Sequence, residues 1–102
     1  MKCGGLKATI VGSSRADSLR GTAKRDVIAA GAGDDKVESL GGKDVVCGED
    51  GRDQLGGGPD ADTLIGGPGK DALKGAGGPD RLLGGPGTDQ LLGGPGRDSV
   101  KQ

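Results

Sequence analysis

The chain has 102 residues, a formal net charge of −1, 25 Gly and 13 Asp, and no Phe, Tyr, Trp, His or Asn. Missing aromatics remove the largest core-filling side chains, and missing His removes the commonest general base, so with no nucleophile–base arrangement an enzyme is not expected. Balanced charge gives no reason to expect nucleic acid, no apolar run approaches the ~20 residues of a membrane span, and the start Met1-Lys2-Cys3-Gly4 lacks the apolar stretch of a signal peptide.

In chain order, residues 3–101 divide into eleven nine-residue units without an insertion. Unit 1 (3–11) has Leu6 and Ala8 where later units have Gly and Asp, so residues 1–11 read as an N-terminal capping unit. Units 2 (12–20) and 3 (21–29) carry Asp17 and Asp26 at the sixth place but Arg15 and Lys24 at the fourth. Units 4 to 6 set Gly33, Gly42 and Gly51 at the fourth place, ahead of Asp35, Asp44 and Asp53. In unit 7 Asp60 takes the fourth place, ahead of Asp62. Units 8 to 11 return to Gly69, Gly78, Gly87 and Gly96, ahead of Asp71, Asp80, Asp89 and Asp98. The eighth place is aliphatic in every unit, from Ile10 to Val100. Collagen would need Gly at every third residue, and a disordered linker has no reason to keep such a register.

Units such as Gly66-Gly67-Pro68-Gly69-Lys70-Asp71-Ala72-Leu73-Lys74 resemble the G-G-x-G-x-D-x-U-x nonapeptide of the RTX (repeats-in-toxin) family. The resemblance covers essentially the whole chain and is strongest from about residue 30. It implies an all-β fold, a right-handed parallel β-roll solenoid over residues 12–101. In such a roll six-residue loops alternate with three-residue strands, and odd and even units build two short-stranded parallel sheets. Two units per turn make eleven units about five and a half turns. The resemblance also implies Ca²⁺ between stacked loops of units i and i+2. The sixth-place carboxylates would hold it: Asp26, Asp35, Asp44, Asp53, Asp62, Asp71, Asp80, Asp89 and Asp98, with Asp17 weaker. Loop carbonyls of Gly33, Gly42, Gly51, Asp60, Gly67, Gly69, Gly78, Gly85, Gly87, Gly94 and Gly96 would complete the shell. The repeats are similar to those of actinobacterial secreted proteins, or to an engineered consensus of them, which implies an extracellular setting.

The residue types support that chemistry on their own terms. In a three-residue strand the middle side chain points opposite to its neighbours, so the eighth-place aliphatics can face inward as a narrow core. Stacked sixth-place carboxylates would lie about 5 Å apart, the spacing of neighbouring strands. Like charges that close oppose folding unless neutralised. A hard dication taking six to eight oxygens at ~2.4 Å does this, and Ca²⁺ fits better than the more strictly octahedral Mg²⁺. A repeated Asp can also serve as a simple turn former. Arg15 and Lys24 would be strained in a left-handed conformation, which Asp60 tolerates better. Loop pairs 4/6, 6/8, 8/10 and 9/11 have Gly in both members and 5/7 and 7/9 come close, giving about six ions. Calcium-free, so thin a core and so many glycines predict a disordered chain that folds on binding the metal.

The outer face of the even strands is polar, whereas the odd face carries Val11, Val27, Ala29, Val45, Cys47, Ile65 and Leu83. An apolar patch of this kind marks an interaction surface, for a second copy, a neighbouring domain or the chain's own N-terminus. Cys3 and Cys47 are too far apart in strict roll register for a bond, yet Gly4-Gly5 could let the N-terminus fold across the odd face. A disulfide and two free thiols both remain open. Two functions follow: a calcium-responsive folding switch or spacer, and a calcium-dependent self-assembling or adhesive scaffold, as a homodimer through the odd face or the roll ends.

Overall fold

A computed structural model describes residues 2–3, 5–87, 89–94 and 99–101. Among them every regular element is a strand, and from unit 2 onward each strand occupies the seventh to ninth places of its unit. Strands β3 (Ile10–Val11), β5 (Val27–Ala29), β7 (Val45–Cys47), β9 (Thr63–Ile65), β11 (Arg81–Leu83) and β13 (Ser99–Lys101) form a six-stranded parallel sheet. Strands β4 (Ser18–Arg20), β6 (Lys36–Glu38), β8 (Gln54–Gly56), β10 (Ala72–Lys74) and β12 (Gln90–Leu92) form a five-stranded one. Register follows the repeat: Ile28 pairs Val46, which pairs Leu64, and Val37 pairs Leu55, which pairs Leu73. The chain is therefore a β-solenoid of about five stacked turns, two units to a turn.

The core is two facing stacks of aliphatics, one from each sheet. Ile28, Val37, Val46, Leu55, Leu64, Leu73 and Leu82, all at the eighth place, are buried together with Ala30, and Ile10, Leu19 and Leu91 pack at its ends. Branched aliphatics fill a gap that an aromatic ring would wedge open. Toward the C-terminus Leu92 and Val100 are exposed.

Unit 1 departs from the pattern. Its first residues form an antiparallel hairpin of β1 (Lys2–Cys3) and β2 (Leu6–Lys7), with Cys3 opposite Leu6 and Gly5 left-handed at φ 82°. Strand β1 lies on β5 and β7, and a disulfide joins Cys3 to Cys47 across a Cα–Cα distance of 5.7 Å. Leaving roll register is what brings the two cysteines together. A second apolar cluster results: Cys3, Val27, Ala29 and Cys47 are buried, with Ala8, Val45 and Ile65 packed against them. The odd face, read from sequence as an apolar surface that packs against another copy, a neighbouring domain or the chain's own N-terminus, is thus covered there by the N-terminus. Val11 stays exposed and Leu83 half-buried.

Candidate metal centre

Each sixth-place Asp closes a loop and leads into a strand, which fixes it at the edge of the roll. Asp26, Asp35, Asp44, Asp53, Asp62, Asp71, Asp80 and Asp89 are buried, and Asp17 is half-buried. Asp98 and Gly96 lie outside the described residues. The stacked carboxylates meet the backbone of the turn before them. The N–H groups of Asp17, Asp35, Asp53 and Asp71 donate to Oδ1 of Asp35, Asp53, Asp71 and Asp89 at 2.7 to 3.0 Å along one edge. Along the other, those of Asp26, Asp44 and Asp62 donate to Oδ1 of Asp44, Asp62 and Asp80 at 2.7 to 2.9 Å. Sequence reasoning foresaw the proximity and its repulsion but not this ladder, in which a backbone dipole holds one oxygen of each acid.

The other oxygen divides the loops into two kinds. In units 2 and 3 the loop closes on itself: Ser13 N–H donates to Asp17 Oδ2 and Thr22 N–H to Asp26 Oδ2, both at 2.6 Å, with each hydroxyl adding bonds to the same carboxylate. Asp26 therefore shares the arrangement of Asp17. In units 4 to 8, Oδ2 of Asp35, Asp44, Asp53, Asp62 and Asp71 is buried without a hydrogen-bond partner. A buried oxygen of that kind is costly unless something compensates it.

Backbone conformation at the second place separates the two kinds. From unit 4 onward it is left-handed, at Gly31, Leu40, Glu49, Gly58, Gly67, Ala76, Gly85 and Gly94, and in units 4 to 8 its N–H no longer reaches the carboxylate. The repeated glycine at this place was the available signal, and Leu40, Glu49 and Ala76 obscure it. The fourth place is left-handed at Gly33, Gly42, Gly51, Gly69, Gly78 and Gly87 but not at Asp60, Arg15 or Lys24. The expectation that Asp60 would adopt a glycine-like conformation is thus corrected: its Oδ2 instead accepts from Gly42 N–H at 2.7 Å. Units 2 and 3 avoid strain at Arg15 and Lys24 by using the self-closed loop.

Glycine also sets how closely the loops stack. A Cβ added to Gly51, Gly69 or Gly87 would collide with the carbonyl oxygen of Gly33, Gly51 or Gly69 in the turn before. At the first place, a Cβ on Gly48, Gly57 or Gly66 would come within 2.6 to 2.7 Å of Oδ2 of Asp53, Asp62 or Asp71. In units 6 to 8 the unpartnered oxygen therefore faces the space left by that glycine, whereas units 4 and 5 carry Ala30 and Ser39 at the first place.

Burial pushes the Asp53 carboxyl up to about 8, Asp62 to about 7 and Asp71 to about 6, and it raises Asp35 and Asp44 as well. The ladder N–H groups act against this, and neighbouring carboxylates add to it. At neutral pH the loops favour taking up either protons or a cation. Among the described residues no three acidic or cysteine side chains converge on one point. An ion would rest on few carboxylates and many carbonyl oxygens, a donor set suited to a hard cation. Fifth-place Arg25, Lys43, Arg52 and Lys70 are exposed.

Four overlapping stretches, residues 11–46, 38–64, 48–82 and 65–100, match the family model of the RTX calcium-binding nonapeptide repeat. No curated protein and no solved structure matches the chain.

Proposed function

Because the chain belongs to the RTX calcium-binding nonapeptide repeat family, we propose that it is a calcium-responsive structural module, a folding switch and spacer rather than an enzyme. The observation that carries this reading is the series of buried, unpartnered Oδ2 atoms on Asp35, Asp44, Asp53, Asp62 and Asp71. These carboxylates would hold Ca²⁺, and Asp80, Asp89 and Asp98 continue the series by position. Carbonyls of Gly33, Gly42, Gly51, Gly67, Gly69, Gly78, Gly85, Gly87, Gly94, Gly96 and Asp60 are the further donors. Asp17 and Asp26, whose loops close on themselves, contribute least. The bound ion supplies positive charge and oxygen coordination where the loops supply buried negative charge.

With residues 1–11 as a cap and 12–101 as the roll, about six ions are expected by loop pairs. Because ligands specific to the native state stabilise it, the chelated chain is expected to be disordered and the calcium-loaded chain β-rich at extracellular, near-millimolar calcium. Circular dichroism with calcium and with excess chelator, alongside metal analysis after dialysis, tests this. An unchanged spectrum, or a count of one or two ions, overturns it.

A second reading, a self-assembling or adhesive scaffold, rests on what the hairpin leaves open: exposed Val11 and half-buried Leu83 on the odd face and exposed Leu92 and Val100 toward the C-terminal end. Sedimentation with and without calcium tests it; a monomer at high concentration in both states removes self-assembly.

A further inference from the structure

We propose that the Cys3–Cys47 bond sets the calcium concentration at which the roll folds, so that the chain responds to calcium and to thiol redox state together. The inference rests on the calcium-dependent folding proposed above and adds its regulation. The bond spans 44 residues and ends three residues after Asp44, whose Oδ1 accepts from the N–H of Asp26 and whose own N–H donates to Asp62. Cys3 is buried against Val27, Ala29 and Cys47, which belong to two strands that form one surface only when β5 is stacked on β7. An unfolded chain holds no such surface, and bringing Cys3 to Cys47 there means closing a long loop.

Linkage follows from this geometry. Whatever stacks β5 on β7 favours the bond, and the bond favours the stacking by restricting the unfolded chain. Calcium between loops 4 and 6 and between loops 5 and 7 would take one loop of each pair, closed by Asp35 or Asp44, from the crosslinked segment and the other from just beyond it. Units 2 and 3, also within it, close their loops without metal. The covalent step is thiol–disulfide exchange with a small disulfide such as oxidised glutathione. The two cysteine thiols give up two electrons and two protons to form the Cys3–Cys47 bond, and oxidised glutathione takes them to become two glutathione thiols.

The test is a calcium titration of the full chain by circular dichroism, oxidised and then reduced with dithiothreitol, with bond state verified by mass. The Cys3→Ser/Cys47→Ser double variant controls for the reductant. For a loop of this length and about six ions taken up together, the midpoint should lie about threefold higher in calcium when the bond is open. The double variant should match the reduced chain with or without dithiothreitol. Reciprocally, saturating calcium should raise the glutathione exchange constant by up to about a thousandfold over that in chelator. If oxidised and reduced chains take up calcium at the same midpoint, this inference is overturned and calcium-dependent folding stands. If neither form responds to calcium, both fall.

Discussion

The backbone N–H of Asp53 donates to Oδ1 of Asp71 at 2.9 Å, while Oδ2 of Asp71 is buried with no hydrogen-bond partner. One carboxylate is thus divided between two tasks. Oδ1 joins successive turns through the backbone, and Oδ2 carries charge that the protein leaves uncompensated.

Asp71→Asn separates these tasks, because the amide keeps an Oδ1 acceptor and removes the charge. In chelator at pH 8 the variant should gain roughly 1–2 kcal/mol of stability, the buried anion having been removed. Its calcium midpoint should rise about twofold or more, with about one ion lost of the six expected. The β content by circular dichroism in chelator should therefore rise while calorimetric calcium titrations weaken. A loss of stability in chelator would mean that the charge is already compensated.

Acidity should substitute for the cation. The folded-state carboxyls of Asp71, Asp62 and Asp53 titrate at about 6, 7 and 8, against about 3.9 for Asp in an unfolded chain. The native state then binds more protons than the unfolded one, so stability is full below about pH 4 and declines as pH rises through the folded values. Without calcium, circular dichroism should show the most β structure near pH 4 and the least at pH 8. With calcium the order reverses, since only deprotonated carboxylates hold the ion and acidification releases it. A calcium-free chain more stable at pH 8 than at pH 5 contradicts the burial argument.

Two loop glycines at adjacent places of the repeat, Gly69 at the fourth place of unit 8 and Gly41 at the third of unit 5, should behave differently. Gly69 has φ 113° and a Cβ there would collide with the Gly51 carbonyl oxygen, whereas the nearest atom to a Cβ on Gly41 is 3.6 Å away and its φ is not positive. Gly69→Ala combines backbone strain with a collision and should cost about 3 kcal/mol. Gly41→Ala should stay within about 0.5 kcal/mol of the parent, or gain slightly from a less flexible unfolded chain. Thermal melts in saturating calcium measure both.

What could be read from sequence followed from the nine-residue period. Strand positions from Ser18 to Lys101, the core stacks from Ile28 to Leu82 and the buried phase of the aspartates all repeat locally, and each copy reinforces the others. The hairpin at Lys2–Lys7 did not repeat, so the period left the Cys3–Cys47 bond as one of two open readings, suggested by Gly4-Gly5 and not by the register. The left-handed second place was obscured because Leu40, Glu49 and Ala76 adopt it without being glycine. The ladder from Asp N–H to Asp Oδ1 depends on stacking of turns 18 residues apart, which composition and spacing describe only as proximity.

The contrast between self-closed and open loops yields a gain-of-function test. Ser13 and Thr22 supply their N–H and hydroxyl to Asp17 and Asp26, which removes the unpartnered oxygen that a cation would compensate. Ser13→Ala should then cost about 1 kcal/mol through the lost hydroxyl bonds without changing the number of ions bound. Ser13→Gly with Arg15→Gly should do more. It gives unit 2 glycine at the two places that are left-handed in unit 4, at Gly31 and Gly33. Asp17 Oδ2 would lose its partners, and loop 2 would stack on loop 4 as an open pair. Native mass spectrometry in saturating calcium should count one more ion in the double variant than in the parent, and the same number in Ser13→Ala. An unchanged count in the double variant would show that the second and fourth places do not decide which loops take metal.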